Sequence, residues 1–124
     1  MNAYIPIKTL IAADATANGL LGERVYSGKL PQSATYPAAV IKQVSYRGTN
    51  SKTHPSGLHF IGVQIDVYGT RIADVATAAD AIRTGIEYQS SGSVKHIEFT
   101  GMQDDFNDKA ELFRKITEYE IAWQ

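Results

Sequence analysis

Hydrophobic and polar positions alternate most regularly between residues 58 and 68. Ile61, Val63, Ile65 and Val67 are separated by Gly62, Gln64 and Asp66. A period of two is typical of a β-strand with one buried face and one wetter face. A shift of the strand by one residue would bury Gln64 and Asp66, so the pattern also specifies the register. We predict a strand here, with Gln64 and Asp66 on its solvent-facing side.

Two other segments have the helical period of 3.6 residues. Residues 6–18 carry apolar side chains at Ile7, Leu10 and Ile11, and the pair Asn18-Gly19 is a suitable helix end. Residues 71–88 form an Ala-rich apolar stripe, for which Thr70 is a suitable N-cap. The sequence therefore predicts two amphipathic helices.

The remaining patterns predict short strands over residues 22–28, 38–46 and 94–101 and a long final strand over residues 111–123. Residues 47–57 contain no aliphatic side chain and are predicted to form a long polar hairpin loop, and residues 102–110 an acidic connection. The predicted fold is α+β, in two layers. A mainly antiparallel sheet carries two amphipathic helices on one face, in the order α-β-β-β-α-β-β.

The composition limits the classes of protein that this chain represents. A length of 124 residues suits a single domain over 1–124 with one core. The net charge of -1 argues against a protein dominated by phosphate-backbone binding. The lack of cysteine excludes disulfides, thiolate metal sites and cysteine nucleophiles. We find neither a secretory signal nor an apolar run long enough for a membrane span.

Known catalytic templates do not fit the sequence. The nearest phosphate-loop match, from Gly22 to Lys29, has the wrong spacing and places Leu30 where a magnesium-binding hydroxyl is needed. A calcium loop starting at Asp105 fails at its fifth, sixth and twelfth positions. His54, His59 and His96 share no metal-binding spacing. We therefore expect no catalytic residue, no cofactor and no metal site, and we do not expect an enzyme.

The order of short motifs resembles one protein family over nearly the whole chain. The opening helix is followed by Gly22-Glu23-Arg24-Val25-Tyr26, then Pro31-Gln32, and Pro37 precedes the strand Ala39-Val40-Ile41. A strand that ends with residues 63–69 leads directly into the Ala-rich helix, and Phe106-Asn107-Asp108 precedes the last strand. These features resemble the tail-completion, or tail-terminator, proteins of long-tailed bacteriophages and prophages.

This resemblance implies a structural role in the virion. Such proteins form a ring, typically a hexamer, which caps the head-proximal end of the tail tube, ends its polymerisation and provides a docking surface for the head and neck. The expected partners are further copies of the chain, the tail tube protein and a head-completion or neck protein. Genomic DNA is only passing cargo, and no membrane is involved. The resemblance implies a location at the tail-neck junction, after synthesis in the host cytoplasm.

Two charged segments are candidate subunit or tube interfaces. A ring of identical subunits needs two different, complementary surfaces on each copy. The first segment carries Arg47, Lys52 and His54, and the second carries Asp104, Asp105 and Asp108. The alternative interpretation is that both are ordinary solvated loops. Gln64 and Asp66 are candidates for the channel lining, with an ordinary solvent face or a subunit interface as the alternative.

Three other functions compete with this interpretation. The chain could be a different head-tail connector component, such as an adaptor or a stopper. It could be a small enzyme or ligand-binding domain, although the sequence offers no convergent cluster of polar residues. A regulatory protein-binding module is the third alternative.

Overall fold

A computed structural model describes residues 2–50 and 55–124, and for residues 49, 50 and 55–57 it describes the backbone alone. Lys52 and His54 therefore lie outside the described residues. Three helices and five strands follow one another along the chain: α1 (Tyr4–Ala13), α2 (Ala15–Leu21), β1 (Val25–Ser27), β2 (Ala38–Asn50), β3 (Pro55–Gly69), α3 (Ile72–Ile86), β4 (Val94–Asn107) and β5 (Leu112–Trp123).

The predicted fold class is confirmed, because the helices pack against a five-stranded sheet to give an α+β fold. The strand order is β1-β2-β3-β5-β4. The three pairs among β2, β3, β5 and β4 are antiparallel, whereas β1 pairs in parallel with β2. The sheet is therefore mixed. The parallel pair was missed because a polar connection, residues 28–37, separates its two strands.

The first predicted helix is in fact two helices. Asp14 adopts an extended backbone conformation between α1 and α2, and its carboxylate accepts a hydrogen bond from the Ala17 N–H at 2.9 Å. Asp14 is thus the N-cap of α2, a role for which Asp is strongly preferred. The predicted end at Asn18-Gly19 is wrong, since α2 continues to Leu21 and ends at Gly22, where φ is +55°. The structure therefore has three helices where the sequence predicted two.

The helices cover one face of the sheet, which we call the covered face. The predicted alternation in β3 is confirmed there, because Ile61, Val63, Ile65 and Val67 are all buried in the main core. Their neighbours in the register include Ile41 in β2 and Tyr119 and Ile121 in β5. Val75, Ile82 and Ile86 of α3 pack against the same cluster. We call the opposite side of the sheet the bare face, because no helix packs on it.

The strands of both hairpins are longer than predicted. The loop expected over residues 47–57 is shorter, because β2 continues to Asn50 and β3 begins at Pro55. The predicted acidic connection over residues 102–110 is also largely strand, since β4 continues to Asn107. Polar residues in these strands find partners on neighbouring strands that are distant in sequence, which local periodicity does not reveal.

The two hairpins extend toward opposite ends of the sheet. In the register, His59 of β3 is opposite Trp123 of β5, so the outer part of the β2–β3 hairpin extends beyond the end of β5. At the other end, Gly69 is opposite Phe113, and the turn between β4 and β5 lies beyond it. The 15 residues of β3 correspond to about 50 Å of strand between these ends.

Candidate assembly interface

Asp66 lies at the centre of the bare face, where its side chain is fully buried. The prediction that it faces solvent is wrong, since its exposed fraction is 0%. The alternation placed Asp66 correctly on the side opposite Ile65. However, long side chains from β2 and β5 cover this side of the central strand. Gln64, two residues away on the same face, is half-buried, and its role in a channel lining stays a prediction.

Three neighbouring side chains hold the Asp66 carboxylate. Lys42 Nζ lies 3.0 Å from Oδ2, and Gln64 Nε2 donates a hydrogen bond to Oδ1 at 2.9 Å. Arg114 Nη1 lies 3.9 Å from Oδ2. Lys42 is opposite Gln64 and Arg114 is opposite Tyr68, so both cations reach Asp66 diagonally across strands. The carboxylate is therefore buried with compensating charge, as a buried ion requires.

Arg114 connects this cluster to the β4–β5 hairpin. Its Nη2 atom lies 3.4 Å from Asp105 Oδ2. The neighbouring Tyr68 side chain makes the largest contribution to raising the pKa of Arg114, and the carboxylates of Asp66 and Asp105 raise it further. The guanidinium therefore remains charged and acts as a fixed bridge between β3 and β4.

A group of glutamates lies on the same face, beyond this cluster. Glu98 of β4 is directly opposite Glu120 of β5, and Glu118 lies two residues from Glu120 on the same side of the strand. Arg47 Nη2 lies 3.7 Å from Glu120 Oε2, and its guanidinium stacks 4.4 Å from the centre of the Phe60 ring. Among the described strand residues that the register places on the bare face, five carboxylates outnumber three cations. These are Asp66, Asp105, Glu98, Glu118 and Glu120 against Lys42, Arg47 and Arg114. Lys95, in the bulge of β4, is also exposed and forms no ion pair with a described residue.

The two candidate charged segments do not meet within the subunit, because they belong to hairpins at opposite ends of the sheet. Most of their described charges already have partners within the chain. Arg47 pairs with Glu120, Asp105 pairs with Arg114, and Asp104 Oδ1 lies 3.5 Å from Lys115 Nζ. Asp108 is exposed in the β4–β5 turn and makes no ion pair with a described residue. That these segments form a contact between subunits or with the tube stays a prediction.

The two described histidines lie in aromatic contacts. His59 Nδ1 is 2.6 Å from the Tyr46 hydroxyl, and the two rings stack with centroids 5.4 Å apart. His96 lies beside Tyr88, with ring centroids 5.7 Å apart. The described residues contain no cluster of three or more His, Asp or Glu side chains arranged to hold a metal ion.

A concavity of about 400 Å³ lies beside the helices and β1. Its lining contains one cation and one carboxylate, from Lys8 and Glu23, beside small side chains such as Ala12. Within the described residues, no helix is long and apolar enough to cross a membrane.

Sequence reasoning missed a set of exposed apolar side chains on two strands. Val44 and Tyr46 of β2 are 56% and 53% exposed, and Met102 and Phe106 of β4 are 56% and 44% exposed. Exposed apolar side chains along a strand with an unpaired edge are candidates for a contact with another chain. The signal is present in the sequence as apolar residues within otherwise polar segments, but only the sheet order shows that these strands have free edges.

Comparison with known proteins identifies the family. The family model described as "Tail completion protein gp17" matches residues 6–124, which is nearly the whole chain. The chain belongs to this family. The resemblance seen in the sequence is thereby confirmed, and the family assignment supports a structural role in the phage tail. No curated protein matches the sequence.

A solved structure shares the fold. It is a chain from "Virion of native gene transfer agent (GTA) particle", with a TM-score of 0.74 and 17% sequence identity. The match covers 94% of this chain and 90% of that chain. At this identity the likeness concerns the fold alone.

Proposed function

We propose that the protein forms a ring, typically of six copies, that caps the head-proximal end of the phage tail tube. The ring ends tube polymerisation and provides the docking surface for the head or neck. The family match over residues 6–124 is the observation that carries this proposal. The arrangement of the two hairpins and the charge of the bare face support its details.

The hairpins suit a ring that binds different partners above and below. A cap between tube and head needs two docking surfaces on opposite sides, and this subunit has one hairpin at each end of its sheet. If the strands run broadly along the ring axis, one hairpin contacts the tube and the other contacts the neck. The basic residue Lys52 and the exposed acid Asp108 then belong to different contacts.

The bare face suits the wall of a DNA channel. Its carboxylates outnumber its cations, and Lys42, Arg47 and Arg114 are already paired with carboxylates on the same face. A wall of this kind repels phosphates weakly, and these paired cations are not free to hold them. DNA therefore slides past Gln64 and the glutamates without binding.

Tube assembly from purified tail tube protein tests the proposed capping. Addition of this protein without any capsid should shorten the tubes, and gold-labelled protein should be found at one end of each tube in electron micrographs. An adaptor or stopper would instead bind only after a cap is present. Unchanged tube lengths and no binding to tube ends would overturn the proposal.

Charge reversal at the two hairpin tips tests the two docking surfaces. Lys52→Glu and Asp108→Lys should each weaken one partner contact, either to the tube or to the neck protein, and leave the other intact. Lys29→Glu and Glu23→Lys make the same charge changes at exposed positions outside the hairpins, so they should bind both partners normally. Loss of both contacts in either tip variant would contradict the assignment of one hairpin to each partner.

A further inference from the structure

The sheet has two free edges that differ in sequence and lie on opposite sides of the subunit. On the β2 side, β1 covers only Ala39–Ile41, and the Gln43 N–H donates to the Tyr4 hydroxyl at 3.0 Å. No backbone hydrogen bond from the described residues reaches the outer edge of β2 after this point. We call residues 44–50 the β2 free edge.

On the other side, β4 is the outermost strand of the sheet. Its first part is covered, because the Tyr88 N–H donates to the Ile97 C=O at 2.8 Å and Ser91 pairs with Val94. No described backbone group pairs with its outer edge over residues 99–107, which we call the β4 free edge. In the register of β4 with β5, the N–H and C=O groups of Met102, Asp104 and Phe106 point away from β5.

We propose that the β4 free edge of one copy pairs in antiparallel fashion with the β2 free edge of the next copy, so that the sheets join into a continuous wall around the ring. This inference rests on the ring of the proposed function. It goes further by naming the surfaces that join the copies. The contact is between two different surfaces, as a closed ring of identical subunits requires.

Strand direction and side-chain chemistry favour this pairing. Because β2 and β4 run in opposite directions within the subunit, neighbouring copies in the same orientation place them antiparallel to each other. Each free edge exposes two large apolar side chains, Val44 and Tyr46 on one and Met102 and Phe106 on the other. The β2 free edge carries Arg47 and no acid, whereas the β4 free edge carries Asp104 and Asp105 and no cation, and each of these charges also has a partner within its own subunit.

The positions of the two edges also fit the geometry of a closed barrel. Met102 is level with Ile65 of β3, and Arg47 is level with Phe60, so the edges are offset by about five residues or ~17 Å along the strands. Four inter-strand steps of about 4.8 Å lead from β2 of one copy to β2 of the next. A shift of ~17 Å along the strands for every ~19 Å across them requires the strands to tilt by about 40° from the ring axis. This tilt is within the range of closed barrels.

Cysteine pairs test this contact on a chain that has no native cysteine. Within one subunit, β2 and β4 are separated by β3 and β5, or about 14 Å, which is too far for a disulfide. Under oxidation, one of the variants Tyr46→Cys/Met102→Cys and Tyr46→Cys/Phe106→Cys should therefore give a ladder of covalent oligomers up to the ring size, since their second positions lie about 13 Å apart along β4 and only one of them can reach Tyr46. A short bismaleimide linker allows for an offset between the two positions. The control Tyr46→Cys/Ile72→Cys, with its second cysteine at an exposed position of α3, should give at most dimers.

A proline at Met102 tests whether the backbone itself forms the contact. Met102→Pro removes an N–H that no described residue of the subunit pairs with, so the subunit should fold while the ring fraction measured by light scattering is lost. Met102→Ala removes the same side chain but keeps the N–H, and it should still form rings.

The outcomes separate this inference from the proposed function. Rings that form normally from Met102→Pro, or wild-type-sized rings that give no cross-linked ladder, would overturn the edge pairing and leave the cap intact. Dimers from Met102→Cys alone would indicate β4–β4 pairing and would also overturn it. A wild-type protein that forms no ring, even with tube protein present, would overturn both proposals. If Met102→Pro does not fold, the cysteine pairs decide the matter.

Discussion

The two faces of the central strand β3 are built from different chemistry, although their residues alternate along one segment. On the covered face, Ile61, Val63 and Ile65 are buried by helices and stabilised by the removal of apolar surface from water. On the bare face, Asp66 is equally buried, but it lies between Val40 and Ile116 of the neighbouring strands and is paired with the cations Lys42 and Arg114. Burial alone therefore does not mark the hydrophobic core of this protein. The difference indicates that the covered face specifies the fold, whereas the bare face is available for a role in assembly.

The largest expected effect on stability comes from the covered face. Ile65→Ala removes a fully buried side chain at the centre of the sheet and should reduce the free energy of unfolding by about 3 kcal/mol. Gln64→Ala, one residue away on the half-buried side, should cost about 1 kcal/mol through the lost hydrogen bond to Asp66. Urea denaturation of both variants measures the difference. Equal losses would contradict the division between the two faces.

Removal of the buried carboxylate should have the next largest effect. Asp66→Ala leaves Lys42 and Arg114 without their shared partner and should destabilise the fold by about 2 kcal/mol. This is less than the cost of breaking a fully buried ion pair, because about one-third of each cationic side chain is exposed to water. Asp66→Asn keeps the size and the acceptor oxygen, so it should cost about half as much. A loss as large as that of Ile65→Ala would show that the bare face is a second core.

These two substitutions also show which parts of the structure could be predicted from the sequence. The period of two in β3 identified both the strand and the side on which each residue lies. It did not reveal that Asp66 is buried, because the covering residues Lys42 and Arg114 come from strands whose register is set by distant contacts. The long hairpin strands were missed for the same reason, since Asp104 and Asp105 are paired with Lys115 and Arg114 across the sheet. The free edges could not be predicted without the strand order.

A third substitution tests a polar group within the covered face. The Tyr119 hydroxyl is buried without a hydrogen-bond partner among the described residues, while its ring packs edge-on against Phe99 at 5.6 Å. Tyr119→Phe keeps the ring contact and removes the unpaired hydroxyl, so it should stabilise the fold by about 1 kcal/mol at neutral pH.

The effect of Tyr119→Phe should grow at alkaline pH. Burial raises the pKa of Tyr119 above its ordinary value of 10.0, so the folded state keeps a proton that the unfolded chain releases. The wild type should therefore lose stability as the pH rises above 10, and Tyr119→Phe should lose less. Tyr88→Phe, at a residue that is 68% exposed, is the control and should follow the wild type. Parallel pH profiles of Tyr119→Phe and the wild type would contradict this account.

The smallest expected effect concerns the glutamates of the bare face. Glu98 and Glu120 are directly opposite each other, and like charges at such positions are destabilising. Glu98→Gln should therefore stabilise the fold by about 0.3 kcal/mol at low salt, and the gain should vanish in 1 M salt, where the screening length is only about 3 Å. Asp105→Asn, on the same face of the same strand, should instead destabilise the fold because it removes the partner of Arg114.

Since Arg47 partly neutralises Glu120, the gain from Glu98→Gln should be larger in an Arg47→Gln background. A gain that is independent of salt and of Arg47 would show that repulsion between carboxylates is not its cause. The acidic residues of the bare face would then not reduce the folding stability of the subunit measurably, and assembly would have no such loss to offset.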